Sequence, residues 1–312
     1  MKKLIKNYLN KSFLINLLCV GLFAIISNIY FFPLLSGKQI KQSDIDQFSG
    51  MSKQIVDHRD KYGEEPFWLD NAFLGMPSYQ VLVNYPYDLL DKLDKLIRFL
   101  PRPADYLFVY LVSFFLLLLS MKVKSEYAFI GAIAFAFSTY LIIILGVGHN
   151  TKALAIGYAP IVLAGLFKIL DKKYLLGFII GALGLGLQIN ANHYQMTYYF
   201  LMLVGLITII NVFDDFIMKN TKDGLNKIGV VLTTTLFAIS LNATAILATQ
   251  EYSDFSTRGS SEISINPDGS EKEDLSGLSN EYITEYSYGK LESFNLIVPR
   301  FMGGGSSELI DK

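Results

Sequence analysis

Long apolar runs separated by short polar turns dominate the chain, over 13–35, 104–121, 126–147, 153–170, 174–190, 195–213 and 228–249. A helix needs roughly 20 residues to cross a hydrocarbon core of about 30 Å, so the pattern predicts about seven transmembrane helices. Two long polar stretches interrupt it, 36–103 after the first run and 250–312 after the last. Inside the first, Ser43 and Asp46 have capping-box spacing, and Ile45, Phe48, Met51 and Ile55 follow at helical intervals. Further on, Leu89, Leu90, Leu93, Leu96, Ile97 and Leu100 form a stripe opposite Asp91, Lys92, Asp94, Lys95 and Arg98, as expected of a helix lying in the membrane interface. Pro101 and Pro103 end that helix, and an irregular, aromatic-rich connection joins the two. The expected fold is an all-α multi-pass membrane protein, a bundle over 1–249 with amphipathic helices in its long first loop. A polar segment follows over 250–312, expected to continue in a longer parent protein.

Composition agrees with that class. Of 312 residues, 52% are hydrophobic and 14% aromatic, too apolar for an ordinary soluble domain. A net charge of −1 gives no basic surplus for nucleic acid, and the single Cys19 excludes an intrachain disulfide or a thiolate metal site. The apolar run after Lys2, Lys3 and Lys6 is longer than a signal-peptide core, so a retained first span is expected. Lysines crowd one set of short loops: Lys122 and Lys124, then Lys168, Lys172 and Lys173, then Lys219, Lys222 and Lys227. The positive-inside rule makes that side, and the N-terminus, cytoplasmic, and the long loop extracytoplasmic.

Polar chemistry then converges on the outer face. Asp44 and Asp46 follow the first span, where a carboxylate enclosed by apolar helices deprotonates an acceptor hydroxyl or holds a divalent cation. The capping spacing assigns Asp46 to its own helix, which leaves Asp44 as the stronger catalytic candidate. His149, Asn150 and Lys152 occupy one outer turn, and Asn192, His193 and Gln195 another. Imidazole, amide and ammonium groups suit a phosphate or pyrophosphate bearing a sugar, although hydrated turn residues look the same in a sequence. Glu251, Tyr252 and Arg258 follow the last span; Arg258 pairs either with a phosphate or with a neighbouring acid. Phe67, Trp68, Tyr79 and Tyr252 either stack on sugars or anchor the chain at the interface. No metal site built from histidines alone is expected.

The stretches Gln42-Ser43-Asp44-Ile45, Gly63-Glu64-Glu65-Pro66-Phe67-Trp68, Gly75-Met76-Pro77-Ser78-Tyr79-Gln80, Gly148-His149-Asn150-Thr151-Lys152, Ala191-Asn192-His193-Tyr194-Gln195-Met196-Thr197-Tyr198-Tyr199 and Tyr286-Ser287-Tyr288-Gly289-Lys290 occur in order along nearly the whole chain. With them the sequence resembles the YfhO-type bacterial membrane proteins. That resemblance implies a GT-C-like helical bundle in the bacterial cytoplasmic membrane. It also implies a polyprenyl-phosphate-linked sugar as donor, a cell-envelope polymer or lipid as acceptor, and Asp44 as general base. Family members of this kind are usually longer, with further spans. Two other readings compete: a transporter or lipid-carrier flippase, which predicts polar groups buried in mid-membrane, and a non-catalytic envelope scaffold.

Overall fold

The computed structural model describes residues 11–256, 265, 268–270, 280–285, 287, 289–298 and 301–302. Lys2, Lys3, Lys6, Arg258, Tyr286 and Tyr288 lie outside the described residues. The chain divides into two compact units, Met1–Ala243 and Thr244–Lys312.

In the first unit, helix α1 (Lys11–Tyr30) leads through a short 3₁₀ turn to α2 (Ser43–Tyr62). A two-residue antiparallel pairing of β1 (Trp68–Leu69) with β2 (Met76–Pro77) follows, then α3 (Leu89–Ile97). The bundle continues with α4 (Ala104–Ser120), α5 (Ser125–Ala136), α6 (Thr139–Val147), α7 (Asn150–Leu170), α8 (Tyr174–Asn190), α9 (Tyr194–Ile217) and α10 (Thr221–Leu241). Four of these, α1, α7, α9 and α10, are long and apolar enough to cross a membrane, and the α5–α6 pair, bent by 50°, makes five. Helices α4 and α8 are apolar but shorter, at 17 residues each. The seven apolar elements therefore stand in the expected order, and their ends differ from the sequence pattern in instructive ways.

The run 126–147 is broken at Phe137 and Ser138 because Ser138 and Thr139 are weak helix formers, and Ser138 adopts an extended backbone. The last run stops at Leu241, where Asn242 turns its side-chain amide onto Gly186 O and Ala238 O (3.1 and 3.0 Å). Helix α11 (Ala243–Ser253) starts at the last residue of the first unit, and the second unit also contains α12 (Asn280–Thr284) and a 3₁₀ turn at Glu292–Leu296.

Helix α4 is the hub of the core. Tyr106, Leu107, Tyr110, Leu111 and Phe115 are all buried, against Phe23 of α1, the small face Ala128, Ala132 and Ala136 of α5, and Ala153, Ala155 and Tyr158 of α7. Phe23 meets Phe115 edge-on and stacks on Phe129, at centroid distances of 5.4 and 4.9 Å. Helices α7 and α8 approach backbone to backbone. A Cβ on Gly165 would fall 2.4 Å from Gly181 Cα, so only glycine permits the contact.

Ion pairs mark the two ends of the bundle. At one end Lys122 meets Asp171 (2.9 Å), Lys172 meets Asp223 (2.5 Å), and the Lys168 ammonium donates to Ser120 O (2.7 Å). Nearby, buried Lys227 donates to Asn211 and Asp215, each at 2.7 Å. Because α10 starts at Thr221, this lysine sits inside the helix, near its start, and not in the loop before it. The loop helices α2 and α3 occupy the opposite end.

Candidate functional site

Helix α2 starts against the turn between α6 and α7. The Gln42 side-chain amide donates to Leu145 O, and Gly148, at φ +97, lets the turn come close. A Cβ on Gly148 would stand 3.0 Å from Gln42 Cβ and 3.2 Å from Ile45 Cγ1, so glycine is required both by conformation and by contact. This docking places Asp44 Oδ2 2.7 Å from His149 Nδ1. Two residues 105 positions apart, each singled out for its chemistry, form one pair.

The pair is open to solvent. His149 is 44% exposed and Asp44 40%, so the expectation of a carboxylate enclosed by apolar helices is not met. The capping argument also needs correction. Gln42, not Ser43, precedes the first helical residue, and no side chain caps the helix. The Ser43 hydroxyl instead makes a long 3.5 Å contact to Asp44 Oδ1, and Asp46 is exposed with no side-chain hydrogen bond or ion pair among the described residues. Position, not capping duty, is what separates the two acids.

His149 precedes the first turn of α7, whose residues Asn150, Thr151 and Lys152 include no acid. The exposed N–H groups of that turn add partial positive charge beside the imidazole. His193 precedes α9, and its Nδ1 accepts from Met196 N (3.4 Å), which leaves the proton on Nε2. Burial, followed by the electrostatic influence of nearby Lys152 and His149, holds His193 below the usual histidine range. His149, Lys152 and His193 therefore belong to one neighbourhood with Asp44. His193 brings to it a hydrogen-bond donor without a charge.

Asn150 turns a buried Oδ1 inward with no hydrogen-bond partner. Asn192 is exposed at φ +60, a turn role, and Gln195 is exposed; neither side chain makes a hydrogen bond among the described residues. Glu251 and Tyr252 lie on α11 in the second unit, Glu251 exposed and Tyr252 half-buried. Among the described residues no three His, Cys, Asp or Glu side chains gather to hold a metal ion. Two grooves open elsewhere, one of about 550 Å³ along Ala24, Ile29 and Leu35, the other of about 410 Å³ along Lys53, His58 and Tyr62.

A second polar cluster went unnoticed in the sequence. The Leu-rich stripe of α3 splits: Leu89 and Leu96 are 75% and 71% exposed, while Leu90 is buried against Gly186. Asp94 and Arg98, assigned to the solvent face, in fact point inward. Arg98 is ion-paired with Asp94 and, at 2.9 Å, with Asp105 of α4, and the Tyr158 hydroxyl of α7 donates to Asp94 Oδ1 at 2.6 Å. Burial works against the Arg98 guanidinium, but the Asp94 carboxylate outweighs it and holds the arginine's pKa above its ordinary range. The spacing of Asp94 and Arg98, one helical turn apart, was the available signal. At the start of α3, Asp88 accepts from Leu90 N and Asp91 N through Oδ1 and from Asn190 through Oδ2, which ties the loop to the end of α8 beside the His193 turn.

The arrangement joins a carboxylate, held through one oxygen by imidazole, to a set of cationic and neutral N–H donors. Such a set can take a proton from a hydroxyl and hold a phosphate. No protein-family model, no curated protein and no solved structure matches the chain.

Proposed function

We propose that the chain is a membrane glycosyltransferase of the YfhO type with a GT-C-like bundle, carrying a sugar from a polyprenyl-phosphate donor to a cell-envelope acceptor. The observation that carries this reading is the 2.7 Å pair of Asp44 and His149 beside Lys152 and His193. In the reaction, Asp44 Oδ1, which carries only the long Ser43 contact, takes the proton of the acceptor hydroxyl. The acceptor oxygen attacks the anomeric carbon, the bond from that carbon to the phosphate oxygen breaks, and the lipid phosphate leaves with the electron pair. His149, bonded to Asp44 through Nδ1, orients the carboxylate and offers Nε2 to the phosphate. Lys152 supplies charge to the departing oxygen, and His193 donates a neutral hydrogen bond.

The energy comes from the lipid-linked donor, so no nucleotide is required. Lysines concentrate at the bundle end opposite Asp44, which favours an extracytoplasmic site in the bacterial cytoplasmic membrane with the N-terminus inside. A transporter reading gains less from the buried charges, because the Asp94–Arg98–Asp105 and Lys227–Asp215 groups pair with one another.

Membranes holding Asp44→Asn, supplied with radiolabelled lipid-linked sugar, are expected to lose transfer by about 10²–10⁴-fold, the usual worth of a general base, with protein level unchanged. Undiminished transfer overturns the assignment.

A further inference from the structure

The loop between α2 and α3 presents an apolar tip on a rigid base. Phe73 and Leu74, at 83% and 106% exposure, stand out from the molecule side by side. Both have positive φ, 51° and 63°, a region that bulky side chains avoid. Their base is firmly held. Leu69 is fully buried, Gln54 Oε1 accepts from Asp70 N and Asn71 N (3.1 and 3.2 Å), and Ser78 N donates to Phe67 O (3.1 Å). Trp68 lies across Gly75, its Cζ2 2.7 Å from where a Cβ would sit, while the tryptophan remains 55% exposed. The chain thus fixes two large apolar side chains outward, in a strained conformation, with nothing of their own to cover them.

We propose that this tip is a lipid-inserting finger, seated in the same bilayer that the chain's apolar spans occupy. The chain's own spans argue for lipid, since α1, which leads into this loop, is long and apolar enough to cross a membrane. The outward face of α3, with Leu89 and Leu96 exposed, and the exposed flanks of α1 and α9 offer the same chemistry without a protein partner. An aromatic ring with a polar handle, Trp68, stands beside the tip as interfacial tryptophans do. The inference rests on the membrane character of the chain and not on sugar transfer.

Trp68 is the only tryptophan in the sequence, so its fluorescence reports on this hairpin alone. The full chain is placed in nanodiscs of zwitterionic lipid, with acyl chains either plain or brominated near the headgroup. Blue-shifted Trp68 emission and quenching by the brominated lipid are expected. The double variant Phe73→Ser with Leu74→Ser is expected to lose both effects while circular dichroism shows the same helix content. Absence of quenching in the native chain overturns the proposal, and that measurement stands even where the variant fails to fold. Quenching that persists undiminished in a folded variant also overturns it, as does Trp68 shielding that depends on protein concentration, the mark of a second copy at the tip.

Discussion

His193 is the residue at which local environment most directly becomes a measurable property. Its pKa is lowered by burial and then by Lys152 and His149. Between that lowered value and the ordinary one near 6.5, the unfolded chain binds more protons than the native one. The histidine's contribution is therefore fully present above about pH 6.5 and is lost progressively as the pH falls from there through the lowered native value. Thermal midpoints in detergent are expected to drop on acidification, and His193→Gln is expected to flatten that acid limb; an identical limb in the variant would refute the mechanism. At this scale the sequence was informative wherever residue type alone carries chemistry. Asp44, His149, Lys152 and His193 could each be picked out because carboxylates, imidazoles and amines are scarce beside apolar runs. Their pairing was not legible, because it depends on Gly148 admitting Gln42 and Ile45 against a turn more than a hundred residues away. Asp94 and Arg98 were misassigned because a polar side chain on an amphipathic helix looks the same whether it meets water or a buried partner.

Among the elements, the α7–α8 contact makes the sharpest demand on sequence. Gly165 faces Gly181 so closely that any side chain must drive the two backbones apart. Gly165→Ala is expected to cost about 1–3 kcal/mol or more, as overpacking does, seen as a lower thermal midpoint in detergent. Gly205 of α9 has nothing within 4 Å of a new Cβ, so Gly205→Ala serves as the control and is expected to be neutral or stabilising by up to about 1 kcal/mol from helix propensity. Equal effects at the two sites would refute the close-contact argument. Helix existence and order were plain from apolar periodicity. Helix α4 shows what periodicity misses: apolar nearly all round, it reads as an ordinary span, yet it is a 17-residue hub walled in by α1, α5 and α7. The break at Phe137–Ser138 and the exchange of faces on α3 are set by packing, which a run of hydropathy does not encode.

For the whole molecule, the arrangement of charge sets the expected orientation. The single native cysteine, Cys19, is only 7% exposed, so introduced cysteines report without strong background. Asp46→Cys is expected to react with a membrane-impermeant maleimide in intact cells, and Lys219→Cys only after permeabilisation. The reverse pattern would place the Asp44–His149 pair in the cytoplasm and remove the basis for an envelope acceptor. The Asp94–Arg98–Asp105–Tyr158 cluster adds a consequence for assembly. Asp94, Arg98 and Asp105 are close in sequence and emerge together, but the Tyr158 hydroxyl is 64 residues behind Asp94. At about 5–20 residues per second that interval lasts roughly 3–13 s, during which α4 to α6 must be inserted while the acid still lacks its last donor. Tyr158 is thus a late latch: the loop carrying α3 gains its last bond to the bundle only after α7 has been delivered.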